Sequence, residues 1–169
     1  MTTVHIPYGN KKIPIDIPEK NLVLSTDVPL PRGIEDVEGT VLRALESPVA
    51  GPKFSSYLGK GKKVVILTDN YARLTPAHRL LPPILRKIKE SGAVPEILVA
   101  NGALRQMDEA ELNQKFGDEI LDSGVPIYQS ISRNRWEFEF IGETSLGTPV
   151  SVHRKFLEAD FRLAVTMTQ

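Results

Sequence analysis

The sequence predicts an α/β fold: a mostly parallel, Rossmann-like sheet flanked by helices, with an amino-terminal β-hairpin. Apolar, strand-like runs at residues 64–67 and 96–99 are each followed by a loop and a helical pattern. Successive strand–loop–helix units form right-handed parallel sheets. Near the start, two extended runs flank Gly9 and Asn10, a pair that favours a tight hairpin turn.

The predicted hairpin comprises residues 4–8 and 12–17, and the second run alternates isoleucines with other residues. Proline cannot donate to the hydrogen-bond ladder of a sheet. Pro7 and Pro14 therefore predict that the hairpin lies at a sheet edge or outside the main core.

Helical patterns follow the hairpin. Apolar spacing predicts a helix over residues 34–45 and a shorter one over residues 53–58. The next helix is predicted to take Thr75 as its N-cap and Pro76 as its first residue, and to end at Ser91–Gly92.

Two prolines complicate that helix. Because they lack an N–H and their rings clash with the preceding turn, Pro82 and Pro83 predict a kink, or else a helix that begins only near Pro82. Farther along, Asp108 and Glu111 predict a capping box for a helix that ends before Gly117.

Later strands are predicted from short apolar or alternating runs. They cover residues 125–128, a run with Trp136, Phe138 and Phe140, and residues 149–153 and 161–167.

Size and composition limit the classes of function. A chain of 169 residues suits a single α/β domain over 1–169. Twenty-one basic residues balance twenty-one acidic ones, so no net field favours nucleic acid or an anionic membrane. No apolar run approaches the roughly 20 residues of a spanning helix, and we expect a cytoplasmic protein. The cluster Lys60, Lys62 and Lys63 fits either a phosphate-binding patch or a solvated loop.

Polar residues follow two neighbouring predicted strands at their carboxyl ends, where open α/β sheets bind ligands. They are Asp69, Asn70, Arg73, Asn101 and Arg105. Arg73 is the predicted anchor, because a guanidinium offers paired donors to a carboxylate or phosphate and the following helix amino terminus favours an anion. Asp69 is expected to orient Arg73 or to receive a substrate hydroxyl, and Gly102 to let a ligand approach the backbone.

The same residues allow simpler interpretations. Asp69 and Arg73 also fit a loop ion pair, and Asn101–Gly102 a plain turn. In the first turn of a helix, His78 fits the role of an acceptor or ligand, or that of a structural side chain. For His5 and His153 we expect surface or packing roles. The chain has no cysteine and no histidine pair with metal-ligand spacing, so it is not expected to form a metal site alone.

Two of these segments resemble the lactate racemase family. The run TDNYARLTPAH resembles that family's Asp-x-Thr-Arg-Pro-x-Pro-x-His segment. The run VANGALRQMDEAELNQKFG resembles its Val-Ala-Thr-Gly-x-His-Arg-Pro segment and the helix behind it. The resemblance covers nearly the whole chain.

The resemblance implies a nickel-dependent 2-hydroxyacid racemase or epimerase, an isomerase. In that family a nickel-pincer nucleotide accepts hydride from the substrate α-carbon, and two histidines act as acid and base on the hydroxyl. By motif position, Asp69 and Arg73 match the substrate-side aspartate and arginine, and His78 the histidine that ends the first segment. Gly102 and Arg105 match the second segment.

The sequence departs from the family pattern at several positions. Leu104 stands where the family has its first catalytic histidine, and leucine cannot carry a proton. Asn101 replaces threonine, Leu74 replaces proline, and one extra residue precedes Arg73. The second histidine, the cofactor-bearing lysine and the nickel-binding histidine of the family all lie beyond the position of Gln169.

Two functional interpretations follow. In the first, the chain is the amino-terminal domain of a longer racemase. It contributes a carboxylate-binding loop for a small 2-hydroxy acid, needs a missing carboxyl-terminal domain, and is inactive alone with no cofactor bound. In the second, it is a non-catalytic α/β module that binds small anions and has lost the proton-transfer histidine.

Overall fold

The structure is a computed structural model that describes residues 1–26 and 32–167. The chain divides into two compact units, residues 1–34 and residues 35–169. The predicted domain span of 1–169 includes positions outside the described part, and that residues 1–169 form one domain stays a prediction.

The amino-terminal unit contains an antiparallel hairpin. Its strands are β1 (Thr2–Tyr8) and β2 (Lys11–Ile17). Gly9 has a φ of 57°, a value that glycine adopts readily in such a turn. Pro14 lies opposite His5 in the ladder formed by β1 and β2. Each strand has one edge without a partner in this pair, and the position of the N–H that proline lacks can lie on that edge. The predicted hairpin is confirmed.

The second unit supplies the larger sheet and the helices. Its described strands are β3 (Lys63–Asp69), β4 (Val94–Gly102), β5 (Ile127–Ile131), β6 (Phe138–Glu143), β7 (Pro149–His153) and β8 (Phe161–Val165). Its described helices are α1 (Val37–Glu46), α2 (Ala77–Glu90), α3 (Glu109–Leu121) and α4 (Arg154–Leu157).

The larger sheet is parallel, with the strand order β5-β4-β3-β8. Chain order advances in one direction from β3 to β5, whereas β8 lies on the other side of β3. Such a change of direction opens a crevice at the carboxyl ends of the two central strands. The predicted parallel sheet flanked by helices is confirmed. β6 and β7 form a separate antiparallel pair.

One face of the sheet packs against α1, α2 and α3. Ile66 of β3 and Ile97 of β4 are fully buried there against Leu81 of α2 and Phe116 of α3. Each such side chain contributes roughly 1.5–3 kcal/mol by leaving water. On the opposite face a smaller cluster forms around Val65, Leu98 and Ala159. Burial on both faces explains the continuous apolar runs of β3 and β4.

The start of α2 differs from its prediction. Pro76, not Thr75, occupies the N-cap position and makes no side-chain cap. The Thr75 hydroxyl instead donates to a carboxylate oxygen of Asp69, because a charged acceptor forms the stronger hydrogen bond. The alternative in which the helix begins only near Pro82 is wrong, since α2 begins at Ala77 and contains both prolines.

Other observed element boundaries also differ from the predicted ones. Ile34 lies before α1 and is exposed, and Asp36 caps that helix by accepting from the Gly39 N–H. The short predicted helix is a 3-10 turn, Phe54–Tyr57. Trp136 lies in a 3-10 turn before β6 rather than in the strand.

The predicted capping box is confirmed, with Asp108 and Glu111 each accepting from the other's backbone N–H. The helix path breaks at Gly117, whose φ of 69° is not helical.

Candidate functional site

Asp69 closes β3 and is the centre of a buried polar cluster, with 8% of its surface exposed. One carboxylate oxygen accepts from the Lys115 ammonium. The other accepts from the hydroxyls of Thr75 and Thr166, the latter at 3.0 Å, and from the Met167 N–H at 3.3 Å. The cluster therefore joins the ends of β3 and β8 to α3, at the point where the strand order changes direction.

The pKa of Asp69 reflects this cluster. Burial by itself raises the pKa of a carboxyl, because the charged form loses its water. Hydrogen bonds to the carboxylate, led by that from Lys115, outweigh burial and hold the pKa below its ordinary value of 3.8. Asp69 thus accepts these hydrogen bonds as a carboxylate, and both of its oxygens are occupied.

Lys115 of α3 was missed by the sequence prediction. Its side chain is only 6% exposed, and its ammonium donates to Asp69, to the Asn70 carbonyl at 3.1 Å and to the Arg73 carbonyl at 3.3 Å. A signal existed in the sequence. Lys115 lies three residues after Leu112 and one before Phe116, and both of these pack in the core, so a lysine occupies the inward stripe of the helix.

The loops after β3 and β4 meet, as predicted. The Asn70 side-chain amide donates to the Asn101 carbonyl at 3.4 Å, and its own Oδ1 accepts from the Ala72 N–H at 3.0 Å. Asn101 is an extra residue in β4, because Ala100 pairs with Ser130 and Gly102 already pairs with Ile131. Such bulges redirect side chains near functional sites.

Gln129 of β5 fixes the orientation of the Asn101 side chain. Gln129 Oε1 accepts from the Met107 N–H at 2.7 Å and its amide donates to the Met107 carbonyl at 3.0 Å. That orientation leaves Oε1 as the acceptor for the Asn101 amide, at 3.2 Å. The sequence prediction also missed Gln129, whose signal is its position two residues after Ile127, on the core side of the strand.

Two buried polar atoms at this edge have no hydrogen-bond partner among residues 1–26 and 32–167. They are Oδ1 of Asn101, a residue only 3% exposed, and Oγ1 of Thr68. Buried polar atoms are normally paired, so each unpaired one calls for a missing partner such as a ligand or a water molecule.

Arg73 is exposed, and its guanidinium makes no hydrogen bond or ion pair with residues 1–26 or 32–167. The expectation that Asp69 orients Arg73 is wrong, and so is the loop ion pair between them. The physical reason is that Lys115 and the threonine hydroxyls already bind both Asp69 oxygens. The Arg73 guanidinium is therefore left exposed, without an acceptor in the described part of the chain.

Arg105 is occupied by an internal interaction. Its guanidinium forms a bidentate pair with Glu111 at 2.7 Å for both contacts and lies 5.1 Å from the centre of the Tyr71 ring. The hydrogen bond to Arg105 lowers the pKa of Glu111 and raises that of Arg105. The pair of Arg105 and Glu111 attaches the loop after β4 to α3. The predicted role of Arg105 in substrate binding stays a prediction.

Two clefts open beside these loops. The main cleft, of about 520 Å³, is lined by Asp69, Arg73, Asn101, Gly102, Leu104 and Thr166 among others. The side cleft, of about 290 Å³, lies over the start of α2 and includes Arg73, His78, Glu111 and Lys115. Arg73 borders both clefts. The predicted site residues are thus divided, with His78 on the side cleft and Leu104 on the main one.

Gly102 and Leu104 complete the rim of the main cleft. Gly102 has a φ of 60°, and a Cβ there would meet nothing within 4 Å, so glycine is required by the backbone rather than by crowding. Leu104 is 42% exposed and presents an apolar side chain where the family pattern has a histidine.

Among the described residues, no group of three or more His, Asp or Glu side chains is arranged to hold a metal ion. His5 is exposed in the hairpin. His153 is buried and caps α4 by accepting from the Lys155 N–H at 3.2 Å, and burial lowers its pKa. The packing role expected for His153 fits these contacts. In the same part of the chain, no helix is both long and apolar enough to span a membrane.

Comparison with known proteins decides the family. Residues 8–169 match the lactate racemase N-terminal domain. The chain belongs to this family. A lactate racemase of Thermoanaerobacterium thermosaccharolyticum is 31% identical over 97% of the chain, and one of Lactiplantibacillus plantarum is 26% identical over 97%.

The structural comparison agrees. The apoprotein of lactate racemase from T. thermosaccharolyticum aligns with 96% of the chain at 28% identity and a TM-score of 0.77. The chain spans about two fifths of the length of these relatives, 39% of each sequence and 38% of the solved chain. The resemblance inferred from the two loop segments is therefore confirmed.

Proposed function

We propose that this lactate racemase N-terminal domain supplies the carboxylate-binding loop of the substrate cleft in a longer 2-hydroxyacid racemase or epimerase. The single observation that carries the proposal is the exposed Arg73 guanidinium at the rim of the main cleft, which has no acceptor among residues 1–26 and 32–167. A fixed fork of donors suits a carboxylate, and charge-assisted hydrogen bonds of this type are the strong ones.

Two residues that line the main cleft with Arg73, Thr68 and Asn101, each have an oxygen atom that is unpaired among the described residues. These oxygens favour a ligand that carries a hydrogen-bond donor as well as a negative charge. Asn101 Oδ1 is buried, lines the main cleft and lacks a hydrogen-bond donor. A 2-hydroxy acid offers a carboxylate to Arg73 and a hydroxyl proton to an acceptor such as Asn101 Oδ1. Asp69 takes no direct part in this proposal, since its oxygens are occupied, and its role is to hold the loops together.

The cofactor chemistry lies outside the described residues in this proposal. In the lactate racemase family, a nickel-pincer nucleotide would supply hydride transfer at the substrate α-carbon. The described residues include no group of three or more side chains arranged to bind a metal ion. The chain is therefore proposed to be inactive alone, and the ligands of the metal and the carboxyl-terminal domain to come from the rest of a longer polypeptide.

Leu104 supports a second candidate, a small-anion-binding module without racemase activity. A leucine at the rim cannot exchange a proton with a substrate hydroxyl. The two candidates share the Arg73 contact and differ in turnover. Racemisation of lactate with stoichiometric nickel in the polypeptide that carries this domain supports the enzyme, whereas lactate binding without nickel or turnover supports the module.

The Arg73 contact is tested by calorimetric titration of lactate into that polypeptide. Arg73→Ala is expected to weaken binding by roughly 1.5–3 kcal/mol, the range for hydrogen bonds to charged groups. Arg79→Ala is the matched control, because Arg79 is also exposed and near the start of α2 but lines neither cleft. Equal lactate affinity in the Arg73 variant and the wild type would contradict the proposal that Arg73 binds the carboxylate.

A further inference from the structure

We propose that Lys115 is the positioning residue for Arg73, and that its ammonium sets carboxylate affinity by fixing the loop that carries the guanidinium. This inference rests on the proposed function. It concerns a buried lysine that contacts the backbone of the binding loop rather than the ligand.

The contacts of Lys115 account for all three of its ammonium protons. The acceptors are a carboxylate oxygen of Asp69, the Asn70 carbonyl and the Arg73 carbonyl. Lysine is almost never buried to this extent unless it is paired, because the charge loses its water. Two of the three acceptors are backbone atoms of one loop, so the interaction fixes main-chain position as well as charge.

Arg73 depends on that main chain. Its guanidinium has no partner among the described residues, so nothing at the tip of the side chain holds it in place. The Arg73 backbone is held by its N–H, which donates to the Asn70 carbonyl at 3.2 Å, and by its carbonyl, which accepts from Lys115. A loop fixed before binding loses less entropy when a ligand arrives, and affinity rises accordingly.

Direct attraction of the ligand by Lys115 is a weaker explanation. The positive charge is paired with the negative charge of Asp69 in a buried contact, and the pair as a whole is neutral. An approaching carboxylate meets Arg73 first, because Arg73 is exposed and Lys115 is not.

The path of α3 explains how the lysine reaches the loop. Lys115 and Phe116 are adjacent, yet both are buried, and the helix breaks at the next residue, Gly117. The first part of α3 is anchored by the Asp108–Glu111 capping box, and Glu111 also binds Arg105 of the second loop. One helix segment therefore supports both loops.

The test replaces Lys115 in the polypeptide that carries this domain and measures two quantities. Lys115→Met is expected to raise the dissociation constant for lactate about tenfold or more in the folded protein. It is also expected to speed hydrogen exchange of the backbone amides of residues 70–75 relative to those of β3. Ile120→Ala is the control. Ile120 lies on the same helix and is buried, so its truncation destabilises the fold without touching the loop.

The double variant Asp69→Asn/Lys115→Met covers the case in which the single variant does not fold. It removes both buried charges but still takes the lysine donor away from the two loop carbonyls, so the same loss of affinity and protection is expected. Wild-type lactate affinity and wild-type protection of residues 70–75 in either variant overturn the proposal. If the wild type itself does not bind lactate, the proposed function fails, and the exchange rates alone decide whether Lys115 positions the loop.

Discussion

The Asn101 side-chain amide donates to Oε1 of Gln129 at 3.2 Å, across neighbouring strands. Gln129 is in turn held by both backbone groups of Met107, so its orientation is fixed before Asn101 binds to it. Asn101 consequently presents Oδ1, and not its amide, as the unpaired atom. Gln129, which does not line the main cleft, thus determines which Asn101 atom is left unpaired among the described residues.

Replacing Gln129 with methionine tests this relationship. Gln129→Met keeps the size of the side chain but leaves the Met107 backbone groups and the Asn101 amide without partners. Unsatisfied buried groups of this kind cost roughly 1–3 kcal/mol, so urea unfolding should show a loss in that range. Gln114→Met on the exposed side of α3 is the control and should change the unfolding free energy little, since the Gln114 side chain makes no hydrogen bond in the described part of the chain.

The buried pair of Asp69 and Lys115 predicts a pH dependence of stability. The pKa of Asp69 is lowered in the folded state, so the unfolded chain binds the proton first as the pH falls through 3.8. The contribution of Asp69 is complete above this value. It declines as the pH falls from there toward the lower, folded pKa.

The variant Asp69→Asn isolates that contribution. At neutral pH it leaves Lys115 buried and unpaired, and the free energy of unfolding should fall by about 3–5 kcal/mol. The difference between wild type and variant should shrink as the pH falls below the ordinary pKa of 3.8. A difference that stays constant between neutral pH and pH values below that pKa would show that Asp69 carries no such linkage.

The backbone conformation of Gly102 gives a further prediction. At a φ of 60°, an L side chain costs about 1–2 kcal/mol from its contact with the backbone, even though the surrounding space is open. Gly102→Ala should therefore destabilise the fold by that amount, and Gly102→Asn by less. Gly59→Ala serves as the control, because Gly59 has no positive φ and its added Cβ would make ordinary contacts. Equal unfolding midpoints for the two alanine variants would contradict the prediction.

The sequence predicted the fold because local signals agreed with burial. The continuous apolar runs of β3 and β4, the capping residues Asp108 and Glu111, and Gly117 each act within a few residues of chain. It also predicted that the loops after β3 and β4 meet, since the carboxyl ends of adjacent parallel strands share an edge.

Pairing within the site was not predictable in the same way. Asp69 had two cationic candidates, and proximity in sequence favoured Arg73 over Lys115. The outcome depends on the packing of α3 against the loop after β3 and on the hydroxyls of Thr75 and Thr166, which come together only in three dimensions. Thr75 illustrates the same competition, because its hydroxyl was expected to cap α2 and instead binds Asp69.

Leu104 provides the prediction that bears on catalysis. It is exposed on the rim of the main cleft, which Arg73 also lines, so a histidine there would face the same cleft as Arg73 without disturbing the core. Leu104→His should change the unfolding free energy by no more than about 0.5 kcal/mol. In the nickel-loaded polypeptide that carries this domain, it should raise the rate of lactate racemisation about 100-fold or more, because positioned acid–base groups contribute factors of this size.

The control is Leu104→Gln, which adds a polar group that cannot exchange a proton at neutral pH. Polarimetry or chiral chromatography of the product measures the rates of both variants against the wild type. Faster racemisation in the histidine variant alone assigns the missing proton transfer to position 104. Equal rates in the histidine and glutamine variants would show that the proton on the substrate hydroxyl is handled by other residues, and that Leu104 shapes the cleft only by its volume.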